Sequence, residues 1–218
     1  GDESRGLLEQ IQVWTSEGKW FKLNVDQSGF YRVAYTDEQW NNLARAMSPS
    51  GPLSTTDRLG LISDSFAAGR SGYAPIVNSL DFVKDFGDHE EAEYAVWQEL
   101  AENLCNLASL YRSEGFFAKF QNYLTTIFSS HLKRLGWDAK QGECPRTGTL
   151  RGTIIRVLSA AGDEIVCYEG FQRFCAFEKQ GIAIPGDLQS IIFALAMRHD
   201  EAYTFAALKL MFEASTFP

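Results

Sequence analysis

Beyond Thr36 the chain is cut at helix-length intervals by glycine, proline and aspartate, and this punctuation constrains the fold more than any other feature of its 218 residues. Thr36-Asp37-Glu38-Gln39 has the form of a capping box, in which Thr36 accepts from the backbone of Gln39 and Gln39 reaches back, so a helix is expected to start there. It carries Trp40, Leu43, Ala44 and Met47 at helical spacing and ends in Ser48-Pro49-Ser50-Gly51-Pro52. A second helix is expected from Ser54-Thr55-Thr56-Asp57, with Leu59, Ile62 and Phe66 on one face. Further segments follow over 74–86, 90–112, 115–135, 148–161, 164–179, 187–198 and 201–214. Roughly nine helices joined by short loops argue for antiparallel neighbours. The later helices are short and come in pairs, the habit of HEAT- or armadillo-like solenoids, so the expected fold is mainly α, an α-α superhelix over 36–218.

The first 35 residues read differently. Ile11–Thr15, Trp20–Val25 and Phe30–Tyr35 are β-branched and aromatic runs separated by Ser16-Glu17-Gly18-Lys19 and Asp26-Gln27-Ser28-Gly29. In the second and third, apolar and polar side chains alternate with the period of a strand that buries one face. The expectation is a short antiparallel β-meander, and since so few strands are marginal alone, their cover is expected partly outside this sequence. The chain begins with Gly1 and stops at Pro218 just after a helical segment, so it is expected to be a piece of a longer polypeptide.

With 45% hydrophobic and 13% aromatic residues the chain can bury a sizeable core. Its formal net charge is −8, and its 20 basic residues are scattered, which argues against a nucleic-acid or anionic-membrane binder. No apolar run approaches the roughly 18–20 residues of a membrane span, and the polar start GDESRG is unlike a signal peptide. Cys105, Cys144, Cys167 and Cys175 contain no C-x-x-C pair and fit a reducing compartment; the expected location is cytoplasmic.

Candidates for chemistry are few. His89-Glu90-Glu91-Ala92-Glu93 matches the first two positions of H-E-x-x-H and then fails at Glu93. Zinc needs two imidazoles at i and i+4, so the acids here read better as first-turn residues favoured by the helix macrodipole. His131 and His199 lie on separate segments with no ligand at coordination spacing. Cys167 and Cys175 read as small core hydrophobes. Asp57 is placed as a first-turn acid in the Ser54 cap and Arg58 as an ion-pair donor between helices. No nucleophile elbow, phosphate loop or dinucleotide fingerprint is present. Tyr111-Arg112, an aromatic beside a guanidinium suited to carboxylates, is the one candidate substrate-binding pair.

Trp20-Phe21-Lys22-Leu23-Asn24-Val25 with Gly29-Phe30-Tyr31-Arg32-Val33-Ala34-Tyr35 resembles the W-[IF]-K-[LF]-N…G-[FY]-Y-R-V-x-Y strands of the gluzincin zinc aminopeptidases, the group of the puromycin-sensitive and endoplasmic-reticulum enzymes. Ser54 to Phe66 resembles that family's L-S-x-x-D-R-x-x-L-I-x-D-x-F helix, and Tyr94-Ala95-Val96-Trp97 its Y-x-x-W element. Arg134-Leu135-Gly136-Trp137-Asp138 with Leu150-Arg151-Gly152 is similar to the puromycin-sensitive branch. The resemblance implies that 1–35 ends a β-sandwich domain and that 36–218 is most of a helical domain closing over a catalytic domain. It also implies that the zinc, its H-E-x-x-H and the G-x-M-E-N loop belong to a domain upstream of this sequence. No catalytic and no metal residue carries over, and Tyr111 and Arg112 resemble a pair that holds a peptide's C-terminus. The expected partners are peptide substrates and the absent domains, with neither nucleic acid nor membrane. A reading of a different class is a free-standing helical-repeat scaffold that binds peptide or protein through exposed Phe116, Phe117 and Phe120.

Overall fold

The structure, a computed structural model, describes residues 2–84, 86 and 93–214. Among the described residues there are ten α-helices and no β-strand: α1 (Asp2–Ser16), α2 (Asp37–Ala46), α3 (Thr55–Arg70), α4 (Ile76–Val83), α5 (Tyr94–Tyr111), α6 (Phe117–Leu135), α7 (Pro145–Ala161), α8 (Glu164–Gln180), α9 (Gln189–His199) and α10 (Glu201–Glu213). The mainly α expectation therefore holds. The chain falls into two compact units, Gly1–Asn103 and Leu104–Pro218. No described helix is long and apolar enough to cross a membrane.

The β-meander is not formed, and this corrects the reading of the first 35 residues. Ile11–Thr15 is the end of α1, where Ile11, Trp14 and Thr15 are half-buried at i, i+3 and i+4 and the Thr15 hydroxyl donates to Ile11 O at 2.9 Å. Residues 20–35 keep a strand's side-chain period but have no neighbouring strand to pair with, and a backbone without a ladder must satisfy its polar groups otherwise. Side chains take that role. Gln39 Nε2 donates to Phe21 O at 2.9 Å, Tyr35 Oη accepts from Leu23 N at 2.9 Å, and Asp64 Oδ2 accepts from Val33 N at 3.1 Å. Asn24 folds the turn by accepting from Gly29 N at 2.7 Å while donating to Tyr31 O at 2.9 Å. The turn itself is a single 3-10 step over Val25–Gln27, with Asn24, Asp26 and Gln27 all at φ of 52–53°. Left-handed backbone at three non-glycine residues is costly and persists because the surrounding contacts over-determine it.

The segment packs its inner aromatics on α2 and leaves the rest in solvent. Phe21 meets Tyr35 edge-on at 5.9 Å, and Tyr35 meets Trp40 at 5.0 Å. Burial pushes the Tyr35 phenol up to about 12. Phe30, Val25 and Tyr31 remain exposed, Phe30 completely.

α2 starts where its cap requires, with Thr36 Oγ1 accepting from Gln39 N at 3.3 Å. The second half of the capping box is not made: Gln39 Oε1, which would accept from Thr36 N, is turned to the Thr15 hydroxyl at 3.4 Å while Nε2 donates to Phe21 O. Trp40 and Leu43 then enter the core of the first unit, where Trp40 packs on Phe82 at 4.8 Å and Phe86 on Trp97 at 4.9 Å. α3 is capped by Ser54, which accepts from Asp57 N at 3.1 Å.

In the second unit consecutive helices pack in pairs, α6 on α7 and α8 on α9, with α10 on α9. Leu124, Phe128, Ile154, Ile155, Leu158 and Phe174 form its core. α7 begins at Pro145, three residues before the expected start, because proline at the first helical position loses only an N–H that has no helical partner. It ends at Gly162, whose φ of 72° provides the left-handed C-cap.

Candidate functional site

Tyr111 is the last residue of α5 and Arg112 follows it into the turn before α6. That turn is closed by Glu114 N donating to Tyr111 O and Phe117 N to Glu114 O, each at 2.9 Å. It brings the Tyr111 ring edge-on to Phe116 at 5.2 Å and to Phe120 at 5.5 Å. Tyr111 is half-buried, Phe116 is 47% exposed and Arg112 is exposed. The result is an aromatic shelf at the end of α5, followed in the chain by an exposed arginine. Of the three phenylalanines expected at an exposed surface, only Phe116 is there. Phe117 is half-buried, and Phe120 is buried beneath Tyr111, stacked on Tyr123 at 6.0 Å.

The residues around 134–152 form a second polar cluster whose members sequence reasoning noticed only as a motif. Arg151, 2% exposed, donates from Nε to Gly136 O at 2.8 Å and from Nη2 to both Glu143 oxygens at 2.7 Å. That contact holds the Glu143 carboxyl below the usual range. Arg173 on α8 grips Asp138 through both terminal nitrogens at 2.6 and 2.8 Å and sits 5.1 Å over the Trp137 ring. The Asp138 carboxyl is lowered by that grip. Gly136-Trp137-Asp138 and Leu150-Arg151-Gly152 thus serve one physical purpose, in which two arginines pin the α6–α7 loop to α7 and α8. The signal was present in the arginines' positions, but their partners lie 8 to 35 residues away.

A third cluster joins the 20–35 segment to α3. Lys22 Nζ and Asp57 Oδ1 pair at 2.8 Å with side chains 3% and 9% exposed, and Asp57 also accepts from Asp26 N at 2.8 Å. Burial acts to raise the Asp57 carboxyl, but the Lys22 and Asp26 hydrogen bonds hold it below its ordinary value. Asp57 is therefore more than a first-turn acid. Arg58 is buried and donates to Leu53 O at 2.8 Å. A groove of ≈ 550 Å³ opens between Phe30–Arg32 and the Gly60–Asp64 part of α3.

His131 on α6 is buried, with Nδ1 2.7 Å from Arg134 Nη2; burial first, then that cation, depress its pKa to about 4. His199 on α9 lies against Phe171 at 4.8 Å. His89 through Ala92 lie outside the described residues. Among the described residues no three His, Cys, Asp or Glu side chains gather so as to hold a metal ion. The four cysteines are free thiols, and burial raises that of Cys167.

These features, helices packed in sequential pairs and a loop pinned by two arginines, define an all-helical domain. Residues 20–218 match the family described as ERAP1-like C-terminal domain, and the chain belongs to it. It is similar to aminopeptidase M1-A of Oryza sativa subsp. japonica, 30% identical over 90% of this chain and 22% of that protein. Aminopeptidase 2 of Candida albicans is 30% identical over 95% of this chain and 23% of its own length. The puromycin-sensitive aminopeptidase of Caenorhabditis elegans is 29% identical over 97% and 23%. The chain thus spans under a quarter of the length of these relatives.

Proposed function

We propose that this chain is the non-catalytic helical part of a zinc aminopeptidase that removes N-terminal residues from peptides, and that its helices enclose the chamber in which the peptide lies. The observation that carries the reading is the family match over 20–218 together with relatives that are aminopeptidases along nearly all of this chain. In this reading the zinc and its ligands belong to the longer polypeptide and not to these helices. Their part is geometric: to shape a volume, exclude folded proteins and bind the far end of the peptide. Tyr111 and Arg112 suit that last role, the ring shelf for a C-terminal side chain and the guanidinium for its carboxylate. The exposed aromatics of 20–35 support a neighbouring β-sandwich domain, with the boundary at 35/36 in the longer polypeptide, and the helix pairs support a superhelix. Cytoplasmic location remains part of this reading.

The test compares the 218-residue chain with the polypeptide encoded by its full reading frame. The longer protein is expected to contain a complete H-E-x-x-H, bind zinc and release amino acids from aminoacyl reporters, while this chain alone does neither. Stoichiometric zinc with turnover in the isolated chain would refute the proposal.

A further inference from the structure

The α6–α7 loop, the first turn of α7 and the approach to α9 enclose a cleft of ≈ 410 Å³ lined by Trp137, Lys140, Cys144, Gly148, Arg151 and Asp187. Most polar groups around it are already committed. Lys140 Nζ donates to Arg134 O at 3.2 Å, and both Glu143 oxygens are taken by Arg151 Nη2. Arg151 also gives its Nε–H to Gly136 O. A guanidinium has five N–H donors, so the two on Nη1 are left over, and they make no hydrogen bond with any described residue. The side chain is 2% exposed overall, and Nη1 is the part of it that meets the solvent of the cleft.

The companion of that nitrogen is Asp187. Its Oδ2 lies 3.0 Å, and Arg151 Nη1 3.9 Å, from the point a Cβ on Gly148 would occupy, yet the two do not pair. The bare face of Gly148 keeps a gap between a donor and an acceptor. Lys140 and Arg151 balance Glu143 and Asp187 in formal charge, so the cleft does not favour an anion, and an oxyanion on Nη1 would face the Asp187 carboxylate. What fits the gap is a neutral group presenting an acceptor and a donor side by side.

We propose that this cleft binds the main chain of an extended peptide through one residue, whose C=O accepts from Arg151 Nη1 and whose own N–H, on the same side of the strand, donates to the Asp187 carboxylate. Trp137, Pro145, Pro185 and Leu188 supply apolar walls for the flanking side chains. The peptide-handling function above is invoked only as the source of the amide; the recognition stands on these residues.

The experiment is a titration of the 218-residue chain with the capped, uncharged peptide Ac-Ala-Ala-Ala-NH2 to millimolar concentration, followed in 1H–15N spectra. Sodium acetate and inorganic phosphate at matched ionic strength are the comparators. The expected result is a saturable shift confined to the Arg151 Nε–H and the backbone amides of 136–151. Gly148→Ala, which fills the gap inside a helix, and Asp187→Ala, which removes an exposed acceptor, are each expected to weaken binding about tenfold or more with unchanged circular dichroism. Absence of a localised shift overturns the proposal, as do shifts that survive both substitutions. Equal or tighter binding of acetate or phosphate overturns it in favour of an anion site. Failure of the full-length protein to act as an aminopeptidase would sink the proposed function and leave this result standing.

Discussion

Gly170 on α8 offers the sharpest test of the helix packing. A Cβ there would lie 2.5 Å from Leu195 Cβ, 2.7 Å from Cδ1 and 3.1 Å from Cγ, and Leu195 is fully buried on α9. Carbon atoms pack at about 3.5–4.0 Å, so Gly170→Ala forces α8 and α9 apart by about 1 Å. The nearest atom is itself a Cβ, fixed to the α9 backbone, so no rotamer change relieves the clash. A gap of that size forfeits a quarter or more of the attraction that a buried leucine draws from its roughly 40–60 contacts at about 0.1–0.2 kcal/mol each, a loss of about 1–3 kcal/mol. Alanine's better helix propensity returns about 1 kcal/mol. The net expectation is a destabilisation of up to about 2 kcal/mol, seen as a lower urea midpoint with unchanged slope and a fall in Tm of up to roughly 8 °C. Amide exchange should accelerate in α8 and α9 specifically. Adding Leu195→Ala removes the Cγ and Cδ1 contacts but keeps the Cβ contact, so it is expected not to restore stability. A raised midpoint for Gly170→Ala, or amide exchange in α8 and α9 that does not accelerate, would refute the close packing of these helices.

Lys22→Met strips Asp57 of its buried cation and is expected to cost about 3–5 kcal/mol, with Asp57→Asn in the same chain recovering much of it; a urea midpoint within error of wild type would show that the pair is screened by solvent. His131 binds fewer protons folded, with a pKa of about 4, than unfolded at about 6.5, so stability is complete above pH 6.5 and falls as pH drops from 6.5 towards 4. After discounting for screening the loss is about 2 kcal/mol, and His131→Asn should flatten that part of the pH–stability curve; an identical curve would disprove a neutral buried imidazole. In the full-length protein, Arg112→Ala is expected to raise KM about tenfold for long peptides with a free C-terminus and much less for C-terminally amidated ones; equal effects on both would remove Arg112 from carboxylate binding.

The helices were legible in the sequence. Breakers such as Ser48–Pro52 and Gly162-Asp163, caps such as Thr36 and Ser54, and the apolar period between them are local properties, and local properties can be read without a fold. The strands were misread for a related reason. Periodicity reports which side chains want burial, but a strand exists only when a neighbour accepts its backbone hydrogen bonds, and around Trp20–Tyr35 that role passed to Gln39, Asp57 and Asp64. The motif residues Arg134–Asp138 and Leu150–Gly152 marked a region without saying what it does. It took the packing of the helices to bring Arg151 and Arg173 onto one loop, to join Lys22 and Asp57 in the interior, and to cover Phe120. The same packing leaves one nitrogen of a buried guanidinium facing Asp187 across a bare glycine. Each of these depends on groups far apart in the chain, whose meeting is set by which helices pack together rather than by any spacing along the sequence.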